Sequence, residues 1–196
     1  KNHILKMNKI TLLGKDLNEL KLFCSSNNFP LYNGEQLYRW LYNKAVTQID
    51  NMTNISSNLK NYIKLNCDLQ LLMLEKEFLS KDKTIKVLLK TLDNKLIECV
   101  SMIDNNRHTI CISSQIGCSV DCDFCATGKM GIIRNLDPGE IINQIIIIKN
   151  IRKTPITNVV FMGMGEPFLN YNNVLKSCHI LNSKQNSKSQ KTTRAS

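Results

Sequence analysis

The sequence predicts an α/β protein, with a small helical domain over residues 1–76, a β-hairpin connection over 77–107 and a unit of alternating strands and helices over 108–196. Three observations predict it. Apolar residues fall at helical spacing between Leu17 and Tyr62, the pattern turns strand-like from Thr84 to Ile103, and strand, loop, helix, strand and loop then follow in turn.

The first helices are expected around Leu17, Leu20, Leu22 and Phe23, then Leu37, Trp40 and Leu41, then Ile55, Leu59 and Ile63. Pro30 and Gly34 punctuate them, and Thr53 or Asn54 is expected to cap the third. The runs Ile85-Lys86-Val87-Leu88-Leu89 and Leu96-Ile97-Glu98-Cys99-Val100, parted by Asp93-Asn94, predict a hairpin. A strand from Thr109 to Ser113 leads into a group of cysteines, which is therefore expected on a loop at a strand's end. Asp137-Pro138-Gly139-Glu140 resembles a helix start, and the helix should run to about Ile151. The apolar run Asn158–Met162 predicts a strand ending in the tight loop Gly163-Met164-Gly165-Glu166-Pro167. In a parallel layout ligands gather at the carboxyl ends of strands, and both special loops fall there. From Asn182 to Ser196, with Lys184, Lys188, Lys191 and Arg194 and no acidic residue, a loop or frayed end is expected.

With 42% hydrophobic and 21% charged residues and a mean hydropathy of -0.20, the 196 residues have the composition of a globular chain. The longest apolar run, Ile145–Ile148, is far too short to span a bilayer. A formal charge of +10 suits a polyanionic partner, and equally a basic surface without one. Eight unevenly spaced cysteines, with no secretory leader in view, point to a reducing compartment rather than to a disulfide framework. The chain opens on Lys1-Asn2-His3 and closes on Arg194-Ala195-Ser196, and is expected to be a fragment.

Cys118, Cys122 and Cys125 are spaced Cys-x-x-x-Cys-x-x-Cys, so three thiols can face one centre. A closed zinc site needs a fourth ligand, which Cys111, Cys99 or His108 would have to supply, and its ligands usually come as separated pairs. A cubane iron–sulfur cluster held by three thiolates keeps one iron open for a small molecule. The spacing favours the cluster.

The same motif, with Phe124 before its last cysteine, resembles the signature of the radical S-adenosylmethionine (SAM) superfamily. Ser113-Ser114-Gln115-Ile116-Gly117-Cys118, Phe124-Cys125-Ala126-Thr127-Gly128 and Asn158 through Pro167 resemble, more narrowly, the RlmN/Cfr family of RNA adenosine methyltransferases. Tyr38-Arg39-Trp40-Leu41-Tyr42 is similar to that family's helical domain and Leu96-Ile97-Glu98 to its hairpin. The resemblance implies the first part of a radical SAM (β/α) partial barrel, incomplete at the C-terminus. It implies a [4Fe-4S] cluster on Cys118, Cys122 and Cys125 that binds SAM at its open iron and, once reduced, yields a 5′-deoxyadenosyl radical. Gly165 and Glu166 match the SAM-contacting motif, Glu98 the general base, and Cys111 the cysteine that resolves a covalent enzyme–RNA intermediate. By themselves Gly165 and Glu166 read as a tight turn, Glu98 as a solvated residue and Cys111 as a small core hydrophobe. Cys24, Cys67, Cys99 and Cys178 read as structural thiols.

The activity so implied is methylation of adenosine C2 in 23S-type rRNA and in tRNA, with C8 methylation as the sister alternative. A non-catalytic zinc- and RNA-binding module is a further reading. The family's methyl-carrying late cysteine lies past Ser196, so residues 1–196 alone are not expected to turn over. The implied partners are rRNA, tRNA and an electron donor such as flavodoxin or ferredoxin. A monomer is expected, without a membrane, in the bacterial cytoplasm or an organelle.

Overall fold

The computed structural model describes residues 9–183, so the expectations for the basic tail beyond 183 lie outside the described residues. The fold is mixed α/β.

Helix α1 (Leu17–Ser26) begins in a capping box. The Asp16 carboxylate accepts from the Glu19 N–H at 2.8 Å, and the Glu19 carboxylate accepts from the Asp16 N–H at 2.7 Å. Helix α2 (Leu31–Tyr38) follows Pro30 and runs on as a π-helical turn, Arg39–Asn43. Helix α3 (Ser57–Asn66) is capped by Ser56, whose hydroxyl accepts from the Leu59 N–H. The cap is thus neither Thr53 nor Asn54. A cap must directly precede the first helical residue, and the Asn54 carboxamide is engaged elsewhere, accepting from the Trp40 indole N–H at 2.6 Å. Leu20, Phe23, Leu37, Trp40, Leu41, Ile55, Leu59 and Ile63 share one buried core, whereas Leu22 points outward. Short strands β1 (Ile10–Thr11) and β2 (Cys67–Asp68) pair in parallel.

The later strands are β3 (Leu72–Leu79), β4 (Ile85–Thr91), β5 (Leu96–Asp104), β6 (Arg107–Cys111), β7 (Gln115–Gly117), β8 (Ile132–Asn135) and β9 (Asn158–Val160). Five of them form one sheet in the order β3-β4-β5-β6-β9, antiparallel until β6 meets β9 in parallel with Ile110 opposite Val159. The hairpin is therefore not a separate connection but the same sheet as the first parallel pair. Strand β3, absent from the sequence reading, begins at Leu72. It is an edge strand with almost every side chain exposed, so no buried alternation reveals it. In β4 and β5 the alternation is strict: Ile85, Val87, Leu89, Ile97 and Cys99 are buried with Ile110 on one face. Lys86, Leu88, Lys90, Glu98, Val100 and Cys111 occupy the other, half-open face.

Helix α4 (Pro138–Arg152) crosses from the β7–β8 ribbon back to β9. Asp137 and Glu140 form its capping box, with Pro138 in the first turn. Ile141, Ile145 and Ile148 enter the sheet's core, while Ile142 and Ile146 enter the helical core. A helix buried on two sides is apolar nearly all round, which accounts for its isoleucine run. Helix α5 (Tyr171–Leu181) follows the second special loop and packs against α4. Among the described residues no helix is long and apolar enough to cross a membrane.

His108 is buried on β6, with Nε2 paired to the Ser101 hydroxyl at 2.9 Å and Nδ1 to the Thr154 hydroxyl at 3.1 Å. Burial holds its pKa below the ordinary histidine value. The unfolded chain therefore takes up this proton first as the pH falls through about 6.5, and stability declines from there toward the lower folded value. Urea titrations between pH 7.5 and 5 should show that decline in the wild type. His108→Gln should flatten it, and an unchanged slope would assign the decline to other groups.

Candidate active site

Strands β7 and β8 pair as an antiparallel ribbon, and the loop joining them, 118–131, carries all three clustered cysteines. The cluster does not hang directly on the end of the strand at 109–113, as expected from the sequence; β7 intervenes. The ribbon closes at Gly117, where φ is +77° and a Cβ would lie 1.8 Å from the Gly131 carbonyl oxygen. The Cys118 N–H then donates to that same carbonyl at 3.1 Å. Within the loop the Cys125 N–H donates to the Cys122 carbonyl at 3.0 Å, and a short turn of 3-10 helix, Gly128–Met130, completes it. Cys118, Cys122 and Cys125 are half-buried, and Phe124 is 93% exposed.

The thiols divide by environment. Burial pushes Cys24 and Cys67 up to about 11, and it raises Cys99, Cys111 and Cys178 as well. Cys125 moves the other way, because the backbone N–H groups of Gly128 and Thr127 stabilise its thiolate. Thiolates are what a metal centre binds. Among the described residues no three His, Cys, Asp or Glu side chains converge on a point that one metal ion could occupy. A cubane asks for something else, one thiolate on each of three irons, and three cysteines of one short loop fit it in number and type.

Ser113 joins this loop to the rest. Its N–H donates to the Gln144 side-chain oxygen at 2.8 Å, and its carbonyl accepts from the Gln144 side-chain nitrogen at 2.9 Å. Its hydroxyl donates to the Glu98 carbonyl at 2.7 Å and accepts from the Met164 N–H at 2.9 Å. The loop after β9 is sewn on in the same way. The Ser114 N–H donates to the Met164 carbonyl at 2.9 Å, and the Glu166 N–H donates to the Gln115 side-chain oxygen at 2.9 Å. Gly165 has a φ of +95°, and a Cβ there would lie 2.4 Å from the Gln115 Cβ. Its lack of a side chain is thus what lets the two loops touch. The Glu166 carboxylate accepts from the Phe168 N–H at 3.1 Å, at the head of the 3-10 turn Pro167–Asn170.

Glu98 and Cys111 lie on the half-open face of the sheet. Val100 pairs with Cys111, so Glu98 is its same-face neighbour two residues along β5. The Glu98 carboxylate meets the Lys86 ammonium at 3.0 Å, and both side chains are nearly half exposed. The cysteine loop and the Gly165-Glu166 loop are therefore brought together through Gln115. Glu98 reaches them through its main chain and Ser113.

Sequence reading held Ser113 and Gln115 only as motif residues without a role, and missed Gln144, Asn170 and Arg134. Asn170 is buried and its amide donates to the carbonyls of Ser114 and Leu136 at 2.7 and 2.8 Å. Arg134 on β8 donates to both oxygens of Glu140 at 2.7 Å and also to Asp93 in the β4–β5 turn. The guanidinium holds the Asp93 carboxyl well below the usual range. The available signal was Gln144, a polar residue inside an isoleucine run.

Known proteins agree with this arrangement. Residues 10–69 match the ribosomal RNA large subunit methyltransferase N-terminal domain, and residues 112–193 match the radical SAM superfamily. A probable dual-specificity RNA methyltransferase RlmN from Prochlorococcus marinus is 43% identical over 179 residues, which is 91% of this chain and 51% of that protein. Both matched segments are thus similar to the RlmN family of radical SAM proteins. A Pseudothermotoga lettingae protein of the same description is 44% identical over 151 residues, covering 76% of this chain and 44% of its own. The crystal structure of a radical SAM methyltransferase from Sphaerobacter thermophilus superposes with a TM-score of 0.86 at 34% identity, over 91% of this chain and 54% of that one. The chain spans about half the length of the curated relatives it matches. The cofactors of this family are a [4Fe-4S] cluster and SAM.

Gln144→Leu leaves the Ser113 N–H and carbonyl buried without partners and should destabilise the chain by about 2–4 kcal/mol. Chemical denaturation measures it, and a loss under about 0.5 kcal/mol would show that the clamp is dispensable.

Proposed function

We propose that this chain is the cluster- and SAM-binding half of an RNA methyltransferase that acts on adenosine C2 in rRNA and tRNA. The observation that carries the proposal is the junction at Ser113 and Gln115, which ties a three-cysteine loop to a Gly-Glu loop at the ends of two parallel strands. Cys118, Cys122 and Cys125 hold the cluster, which when bound supplies the electron that cleaves SAM. Gly165 gives the amino-acid part of SAM close access to backbone, and the Glu166 carboxylate meets its ammonium. Glu98 takes the proton that leaves the adenine ring, and its pairing with Lys86 keeps the carboxylate aimed across the open face. Cys111, on the same face, is placed to attack a covalent protein–RNA link. The helical unit at 1–76 and the basic charge serve RNA binding. The whole protein works as a monomer in the bacterial cytoplasm or an organelle, drawing electrons from a carrier such as flavodoxin or ferredoxin. Residues 1–196 by themselves do not turn over, because none of their cysteines takes the methyl-carrying role.

Anaerobic reconstitution of the chain should load about four irons and four sulfides. Cys118→Ala, Cys122→Ala and Cys125→Ala should each abolish loading, while Glu98→Ala and Cys99→Ala keep it. Stoichiometric zinc without iron or sulfide would favour the non-catalytic module instead. In the full-length protein Glu98→Ala should stop methylation with the cluster spectrum intact, and mass spectrometry of modified adenosines should find the C2 product. Only the C8 product would reassign the regiochemistry.

A further inference from the structure

Strand register sorts the charges of the hairpin sheet. Phe78 pairs with Lys86 and Lys76 with Leu88, so both β3 residues stand on the half-open face that carries Glu98 and Cys111. Lys90, paired with Leu96, shares it. Glu77 pairs with the buried Val87 and so belongs to the opposite face. The open side of these strands thus holds three lysines, Lys76, Lys86 and Lys90, against two carboxylates, Glu98 and, at the far end of β5, Asp104, with Glu75 in the β3 bulge.

Phe78 stays 41% exposed although two of those lysines lie over its ring, Lys76 at 4.8 Å and Lys86 at 5.3 Å from the centroid. An accessible aromatic face flanked by ammonium groups is the element that binds single-stranded nucleic acid without regard to sequence: the ring stacks on a base while the cations meet the phosphates. Phe78 sits three strand spacings from Cys111, roughly 14 Å away across the sheet, so a strand stacked on it runs toward the candidate catalytic pair. Leu88, Leu96 and Val100 between them offer apolar contact without competing charge.

We propose that this face of the β3–β4–β5 sheet is a track for a single-stranded RNA segment, with Phe78 stacking a base near the target and Lys76, Lys86 and Lys90 contacting its phosphates. The proposal rests on RNA being the substrate. It adds that the hairpin, and not the helical unit alone, holds the strand. An acidic protein partner would meet the lysines but has no need of an exposed ring between them.

The test is binding of a fluorescein-labelled single-stranded RNA oligonucleotide to the full 196-residue chain, followed by anisotropy over a range of salt. Phe78→Ala should weaken binding about 5- to 100-fold with the salt slope unchanged, because it removes stacking and no charge. Lys76→Gln and Lys90→Gln should each lower the slope by about 0.7. Lys153→Gln, at the exposed C-cap of α4 on the other side of the sheet, makes the same charge change away from the proposed track and sets the background for non-specific attraction. Phe78→Leu, which keeps an apolar side chain, controls for folding and should still lose most of the stacking. Wild-type binding by both Phe78 variants would overturn the proposal. So would protection of Lys76 and Lys90 from acylation by flavodoxin and not by the oligonucleotide. Cluster loading, assayed separately by iron and sulfide content, tells this failure from failure of the radical SAM reading.

Discussion

Everything in the candidate site hangs on how Ser113 is held. It is a buried residue just past the end of β6, where the ladder stops, and its amide, carbonyl and hydroxyl would otherwise be unpaired in an apolar surrounding. One side chain from α4, Gln144, satisfies both backbone groups, and the hydroxyl bridges the Glu98 carbonyl to the Met164 N–H. Three elements far apart in sequence are thereby fixed to the residue that introduces the cysteine ribbon. A polar network of this kind is stable only when every member is paired, so it leaves little freedom in where the loops sit.

The clamp depends in turn on where α4 lies. Its isoleucines enter two cores at once, and this double burial fixes the rotation of the helix. Gln144 and Asn143 occupy the sides left between the two apolar faces. Asn143 accepts from the N–H groups of Leu71 and Leu72 at 2.8 Å each, so adjacent carboxamides bind the entry to β3 and the exit from β6. Arg134 adds the third constraint by tying the ribbon to the first turn of α4 through Glu140 and to the hairpin through Asp93. The Glu140 side chain is only 6% exposed, so this pair is less screened than an ordinary surface ion pair.

Local features of this fold were legible because they obey local rules. The Asp137-Pro138-Gly139-Glu140 start, the β4–β5 hairpin and the strand before Gly163 are set by capping, alternation and turn chemistry, and each stands where the sequence puts it. The three-cysteine motif was legible for another reason, since its chemistry is written in the spacing. What escaped was set by tertiary partners. Edge strand β3 lacks an alternating pattern, β7 and β8 are short and pair only with each other, and Ser56 overrides the earlier caps because Leu59 fixes the phase of α3. The Gln144 clamp could not be seen, because a glutamine among isoleucines reads as a break in the pattern until its partner is known.

The two faces of the sheet show why the parts that escaped matter most. The residues buried on the other face are apolar apart from Thr91 and the paired Ser101 and His108, and they serve stability. The open face is mixed, with lysines, the carboxylates of Glu98 and Asp104, one aromatic and one thiol that no core requires, and such residues stay exposed only at some cost in burial. Period-two alternation keeps the two sets apart, since a slip of one residue would drive Lys86 and Glu98 into the core and Val87 and Cys99 out of it. The register that stabilises the sheet is therefore the same register that places Glu98 beside Cys111. A change that shifted β5 against β6 would lose both together.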